Sequence, residues 1–492
     1  MAAILRKIGV SAVFCVLAGI AVLAADPTAA YAKWADVNIG SFKDMSVDSL
    51  RARTYGSDLT LVDWLGKAGG QNEYQAFYSK DGSPTYNTYM AAYRSDGLRV
   101  YARVDIPTTK MPEKGYPVVV FIHGWAGVDA APKYGFNYAA KSYYGDWIDA
   151  YVKAGYVVVF PGWRGHGTVS GVPADGIEFM KAFDNGSYVS PLFYAIDVLN
   201  AIDSLQTLQN NNWAVWGYDS KDAVKIDLSK ICVAGHSQGG DVELTTLAVA
   251  GKGSKLKNKV YAASIWSGCF PDRITQLNTY GPMENTWEAF KAGSQDAFEW
   301  NGTAVGSDGS TNPNFVFGYP PEWIGTVDPS KWDWQKDEFV HTYKDIILKK
   351  TMEMYDTFNN YFGDGKNVTF SLNTDASGKV TITHDPAVLQ ATAAMSAFNY
   401  PEYFVGEKLI LNHSDEDMYS MAAWNADLTR RITAKGGYCI NFVYPANTHE
   451  LNASDNAWYN HNGKYTVSGR PYAIKRDIAL FDGSDPTQIA FP

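Results

Sequence analysis

Gly235-His236-Ser237-Gln238-Gly239-Gly240 sets a serine hydroxyl among small residues. Such a hydroxyl attacks a carbonyl only if a base takes its proton and N–H donors receive the charge that develops on oxygen. A β-type run, Ile231-Cys232-Val233-Ala234, precedes the motif. A helix-competent run, Asp241 to Ala250, follows it and stops at Gly251. The spacing predicts a strand, a sharp turn and a helix, with Ser237 at the turn. Gly235 and Gly239 are expected where neighbouring backbone leaves no room for side chains. The N–H of Gln238, at the head of the helix, is expected to face a developing oxyanion.

The base must be a histidine on a later loop, because serines presented on this turn are followed in the chain by an acid and then a histidine. Only His449 and His461 follow the last clear strand-like run. His449 lies in Pro445-Ala446-Asn447-Thr448-His449-Glu450, a short loop just past Tyr444. His461 sits in the polar stretch Asn460-His461-Asn462-Gly463, which reads as surface. His449 is therefore the expected base. The acid that orients it is sought after Leu409-Ile410-Leu411, where Asp415, Glu416 and Asp417 compete and spacing does not separate Asp415 from Asp417. Asp272 is an outside candidate. A second oxyanion donor is expected from His123-Gly124-Trp125-Ala126-Gly127, with the Trp125 N–H as candidate and His123 orienting the loop.

These residues need a scaffold that brings strand ends together. Tyr89–Tyr93 and Leu98–Ile106 read as strands around Asp96-Gly97. Tyr116–Ile122 is a continuous apolar run, as suits a strand covered on both faces. Trp147, Ile148, Tyr151 and Val152 share a helical face, Gly155 ends it, and Tyr156–Phe160 is the next strand. A longer helix carries Phe193, Ile196, Leu199, Ile202 and Leu205. Strands are also predicted at Lys230–Ala234, Val260–Trp266, Leu409–Leu411 and Cys439–Tyr444. Alternating strands and helices predict a mostly parallel sheet, with ligands beyond the carboxyl ends of its strands. The segment from Asp272 to Tyr403 is too long for an ordinary connection. It holds Trp287, Trp300, Trp323, Trp332 and Trp334, a helical run from Asp333 to Phe362, and a hairpin pattern at Val368–Leu372 and Val380–Thr383 around Ser377-Gly378.

The 492 residues are 46% hydrophobic and 19% charged, enough apolar content for a large core and too little charge for disorder. The net charge of −10, with no basic cluster, argues against nucleic-acid binding. Arg6 and Lys7, the apolar run Ile8–Ala25 and Ala30-Tyr31-Ala32 follow the order of a secretory signal, cleaved after residue 32. An uncleaved membrane anchor is the alternative; no later segment is long and apolar enough to span. The expected location is secreted or periplasmic, with no membrane attachment after cleavage. Cys15 would leave with the signal. Cys232, Cys269 and Cys439 are expected as buried thiols, a Cys232–Cys269 bridge being the alternative. With no CxxC or HExxH pattern, no metal site is expected.

A wider pattern becomes visible in these motifs. Ser95-Asp96-Gly97-Leu98 to Pro107, His123-Gly124, Arg164-Gly165-His166-Gly167, Ile226-Asp227 to Gly240, Asn412 to Tyr419 and the Pro445–His449 loop together resemble the catalytic domain of prolyl-oligopeptidase-like serine hydrolases. The resemblance covers roughly residues 88–270 and 405–450. It implies an α/β-hydrolase fold, a mostly parallel sheet with helices on both faces, here with an inserted, mainly helical cap. The implied layout is signal 1–32, N-terminal extension 33–87, core 88–271, cap 272–403 and core again at 404–492. In that family the acid lies four residues after the histidine of a His-Gly pair, which implies Asp417; here the pair reads His413-Ser414, so Asp415 stays in play. There is no room for the family's propeller, and Gln238 stands where its peptidases often have Tyr. Both departures favour an esterase-like relative over a peptidase. The implied chemistry is acyl transfer to water on a small-molecule ester, or alternatively a short peptide, with no cofactor. A non-catalytic binding module on the same fold is the third alternative.

Overall fold

The computed structural model describes residues 45–66, 86–134, 136, 143–183, 190–216, 223–276, 318–319, 344–361, 367–374, 376, 380–415, 417, 419–453 and 467–492. The proposed signal and His461 lie outside these residues, as do the five tryptophans of the long inserted segment.

Nine strands form one sheet: β1 (Thr60–Gly66), β2 (Tyr86–Ser95), β3 (Leu98–Pro107), β4 (Tyr116–Ile122), β5 (Val157–Pro161), β6 (Ile226–His236), β7 (Val260–Trp266), β8 (Lys408–His413) and β9 (Tyr438–Val443). Their spatial order is β1-β2-β3-β5-β4-β6-β7-β8-β9. The six strands from β5 to β9 are mutually parallel, and β1, β2 and β3 run antiparallel at one edge. This is the α/β-hydrolase arrangement. Asp96 and Gly97 join β2 to β3 with positive φ at both positions (50° and 80°), the hairpin turn expected of an Asp-Gly pair.

Alternation along β4 shows why its apolar run is continuous. Val118, Val120 and Ile122 enter one buried cluster, and Val119 and Phe121 enter the other. The first cluster collects α1 (Val47–Ala52), α4 (Ser190–Asp203), α5 (Gln238–Ala250), α7 (Pro386–Met395) and α8 (Ala422–Ala434). The second collects α2 (Gly145–Lys153) and α9 (Arg470–Asp482). A short helix, α3 (Ile177–Phe183), follows β5. The chain leaves β4 through α2 to reach β5 on one side, then returns through α4 to β6 on the other. Strand order thus reverses at β4, and a crevice opens at the carboxyl ends of β4 and β6.

Of the long segment from Asp272 to Tyr403, α6 (Lys344–Tyr361) contributes Met354, Tyr355 and Phe358 to the first cluster, and α7 adds Val388, Ala393 and Met395. A small antiparallel pair, Ser371–Thr374 with Val380–Thr383, matches the expected hairpin except that its first strand starts later. The reason is local: Val368 is held by both its N–H and its carbonyl to the Asn359 side chain of α6. No described helix is long and apolar enough to cross a membrane.

Polar groups tie one helix face to the sheet. Asp477 of α9 accepts hydrogen bonds from Ser264 and Trp266 of β7, Asn412 of β8 and Tyr151 of α2. Burial pushes its carboxyl up to about 7 despite these donors. Glu243 of α5, also fully buried and without an ion-pair partner among the described residues, is pushed well up by burial and then by Asp477. A carboxyl whose folded pKa lies above its unfolded one supports stability at low pH and loses that support as pH rises through the folded value. Unfolding free energy should therefore fall as pH rises from about 4 to about 7. Glu243→Gln, which removes the second buried carboxyl, should flatten that decline in urea titrations; an unchanged slope would refute the assignment.

Candidate active site

The turn after β6 has the expected form. Ser237 adopts φ 59°, ψ −126°, a strained conformation for a residue with a side chain. Its N–H donates to the Trp266 carbonyl, and its carbonyl accepts from Gly240 N–H. The bend brings α5 hard against the end of β4. A Cβ on Gly239 would lie 2.2 Å from the His123 carbonyl oxygen, and one on Gly235 would lie 2.6 Å from the Glu243 carboxylate. Neither position admits a side chain. Gln238 is the first residue of α5, where a main-chain N–H has no intrahelical acceptor.

The loop after β4 lies against this bend: a Cβ on Gly124 would come within 3.2 Å of Ser237 Cβ. The Gly124 N–H is committed to the Tyr144 hydroxyl at 2.7 Å, so the Trp125 amide is the next one along the loop. The Trp125 side chain is 61% exposed. His123 is fixed against this loop and its neighbours. Its Nδ1 bonds the Gly124 carbonyl at 2.7 Å, and its ring stacks on Trp163 at 3.7 Å.

Two further loops meet here. His449 Nδ1 donates to Asp417 Oδ2 at 2.7 Å, and Asp417 Oδ1 accepts from the N–H groups of Tyr419 and Ser420. The carboxylate is wholly buried and His449 nearly so. Asp415, the competing acid, instead accepts from Ala446 N–H. Ser414, at the position where the family pattern has Gly, accepts from Asn447 N–H. The loops after β8 and β9 are thus joined at three points, Ser414–Asn447, Asp415–Ala446 and Asp417–His449. Asp272 caps a short turn through Thr275. The base loop reaches the bend directly: the His449 carbonyl lies 3.1 Å from His236 Nε2, and the two rings are 4.7 Å apart.

Charge separates His449 from the other described histidines. Burial depresses His123, His166, His236, His384 and His413. Burial acts the same way on His449, but the charge and hydrogen bond of Asp417, with Glu450 behind them, outweigh it and raise the imidazole.

Sequence reasoning did not assign roles to Tyr144 or His236. His236 lies inside the quoted motif, but Tyr144 precedes α2 and has no local signature. Cys269, expected to be buried, is partly exposed and donates to the Tyr419 carbonyl, while Cys232 and Cys439 are buried; none forms a disulfide. Among the described residues, no group of three or more His, Cys, Asp or Glu could hold a metal ion.

Asp417→Asn should lower the His449 pKa by about one unit or more, whereas Asp415→Asn should leave it in place. NMR titration of the His449 ring checks both, and equal shifts would overturn the distinction.

No family model and no curated protein sequence matches this chain. Among solved structures it is similar to an acylaminoacyl peptidase of Pyrococcus horikoshii (15% identity, TM-score 0.41, covering 81% of this chain and 41% of that one). It is also similar to Porphyromonas gingivalis dipeptidyl peptidase 4 (12%, TM-score 0.41, 81% and 36%). Acetyl xylan esterase 1 from Thermoanaerobacterium is a third (13%, TM-score 0.38, 83% and 88%). The chain spans well under half the length of the two peptidases.

Proposed function

We propose that this protein is a serine hydrolase that cleaves carboxylic esters through an acyl-enzyme intermediate, with Ser237 as nucleophile, His449 as base and Asp417 as the orienting acid. The observation that carries this reading is the 2.7 Å bond from His449 Nδ1 to buried Asp417, on a loop seated against the strained turn that bears Ser237.

His449 takes the Ser237 proton through Nε2 as the hydroxyl oxygen bonds to the substrate carbonyl carbon. Negative charge moves to the carbonyl oxygen, which the Gln238 and Trp125 amides receive. His449 then gives the proton to the departing alcohol as the ester bond breaks. Water attacks the acyl-serine by the same route, releasing the acid and restoring Ser237. Asp417 orients the imidazole through its Nδ1 and stabilises the imidazolium. None of these steps calls on a cofactor. The signal-like pattern of residues 1–32 supports an extracytoplasmic setting.

A peptide substrate would use the same chemistry, so substrates decide between the two. A fluorophosphonate probe should label the wild type and spare Ser237→Ala, and Ser237→Ala should lose at least about 10³-fold in turnover of p-nitrophenyl acetate. An unlabelled wild type would favour a non-catalytic binding module. Faster cleavage of aminoacyl anilides than of short acyl esters would make the protein a peptidase.

A further inference from the structure

Resting on the serine-hydrolase reading, we propose that His236 and Tyr144 form a positioning relay that holds the loop after β4 and the loop bearing His449 in register with Ser237. Gly124 N–H donates to the Tyr144 hydroxyl oxygen at 2.7 Å. That hydroxyl gives its own proton to His236 Nδ1 at 3.0 Å. His236 Nε2–H in turn donates to the His449 carbonyl at 3.1 Å. The Tyr144 hydroxyl accepts once and donates once, each His236 ring nitrogen has one of these partners, and only the Nε2–H form of a neutral His236 satisfies every link.

The relay crosses the site. It starts on the oxyanion loop, passes through the residue immediately before the nucleophile, and ends on the main chain of the base. Its links join residues far apart in sequence (124 to 144, 144 to 236, 236 to 449), and a Tyr143–Glu450 hydrogen bond joins two of the same segments without reaching Gly124 or His236. It also sorts the amides. By taking the Gly124 N–H, Tyr144 removes it from the oxyanion site.

The surroundings keep the relay in this state. Burial, then the positive charge that His449 would carry when protonated and the Arg470 guanidinium, hold His236 far below its ordinary pKa and hence neutral. The titratable groups around it are Tyr143 and Tyr144 before α2, His449 and Glu450 on the base loop, and Arg470 of α9. Arg470 fixes the Tyr144 end. It bonds the Asp146 carboxylate and the Tyr143 carbonyl, and its guanidinium lies over the Trp147 ring at 4.1 Å. Trp147 in turn packs on the His236 ring.

Packing alone and hydrogen-bonded positioning make different demands. Tyr144→Phe keeps the ring and deletes one oxygen. With p-nitrophenyl acetate it should lower kcat by about 10- to 100-fold while KM stays within about twofold, since small displacements of reacting groups cost that much. His236→Gln retains an amide donor for the His449 carbonyl and should recover most of the turnover that His236→Leu loses. Wild-type kcat in Tyr144→Phe, or equal losses in the Gln and Leu variants, would overturn the relay. Nitrogen-15 spectra of the wild type at neutral pH should show His236 in the Nε2–H form. An Nδ1–H tautomer would overturn the proposal whether or not the protein hydrolyses anything, and a Leu variant that fails to fold leaves this readout and Tyr144→Phe intact. Failure of the fluorophosphonate to label the wild type would instead refute the serine-hydrolase reading, with the tautomer still deciding the relay.

Discussion

The site depends on a contact with no spare volume, the start of α5 pressed against the last residues of β4. Gly239 sits where a single added carbon would overlap the Ile122 and His123 carbonyl oxygens. Because the helix begins that close, β6 must reverse within one residue, and Ser237 takes the strained conformation. The same approach sets the Gly124 turn beside Ser237 Cβ. Strain of this kind persists only where the surroundings over-determine it. Here the Ser237 N–H bond to Trp266 and the Gly240 bond to the Ser237 carbonyl pin the bend from both sides. The placing of Ser237 at the bend and the nearness of the loop after β4 therefore share one steric cause.

Behind the bend, buried polar groups do what apolar packing cannot, which is to fix direction. Asp477 takes donors from β7, β8 and α2, so the helix on one face is keyed to particular strands. Arg164 does the same on the other face. It forks onto Asp197 of α4 and reaches Asp96 in the β2–β3 turn, with Ser95 also donating to Asp197. Partnered charges of this sort are weak evidence of stability and better understood as constraints on register. Their registers matter because the loops leaving β4, β6, β8 and β9 must converge to within hydrogen-bond distances.

What could be read from the sequence follows from how local each signal is. β4 and β7 begin and end where their apolar runs do, since a strand buried on both faces advertises itself without reference to anything else. Ser237 and the base loop were legible for a related reason: a glycine-flanked serine between strand and helix, and a histidine shortly after a strand, are local patterns. β1 was missed because Thr60–Gly66 mixes polar and apolar residues and is a strand by virtue of pairing with β2. α8 and α9 were missed too; charged and polar residues interrupt their apolar faces. The family resemblance pointed to Asp417, but spacing alone left Asp415 open, because both lie on one loop and differ only in their tertiary partners. The Tyr144–His236 link was invisible for the same reason, its two ends being 92 residues apart.

The described histidines show how little separates a structural imidazole from a poised one. His236 and His449 have rings 4.7 Å apart in the same buried region, and desolvation disfavours the charged form of both. Two neutral or dipolar partners, a phenol and a carbonyl, surround His236 and leave it nothing to gain by ionising. His449 has a buried carboxylate at 2.7 Å, and that charge reverses the balance. Two main-chain N–H groups, from Tyr419 and Ser420, hold the other oxygen of that carboxylate and so fix its direction. Thus the upward shift of this imidazole is set less by the histidine than by where the chain turns after β8, since that turn supplies both the carboxylate beside it and the amides that aim that carboxylate.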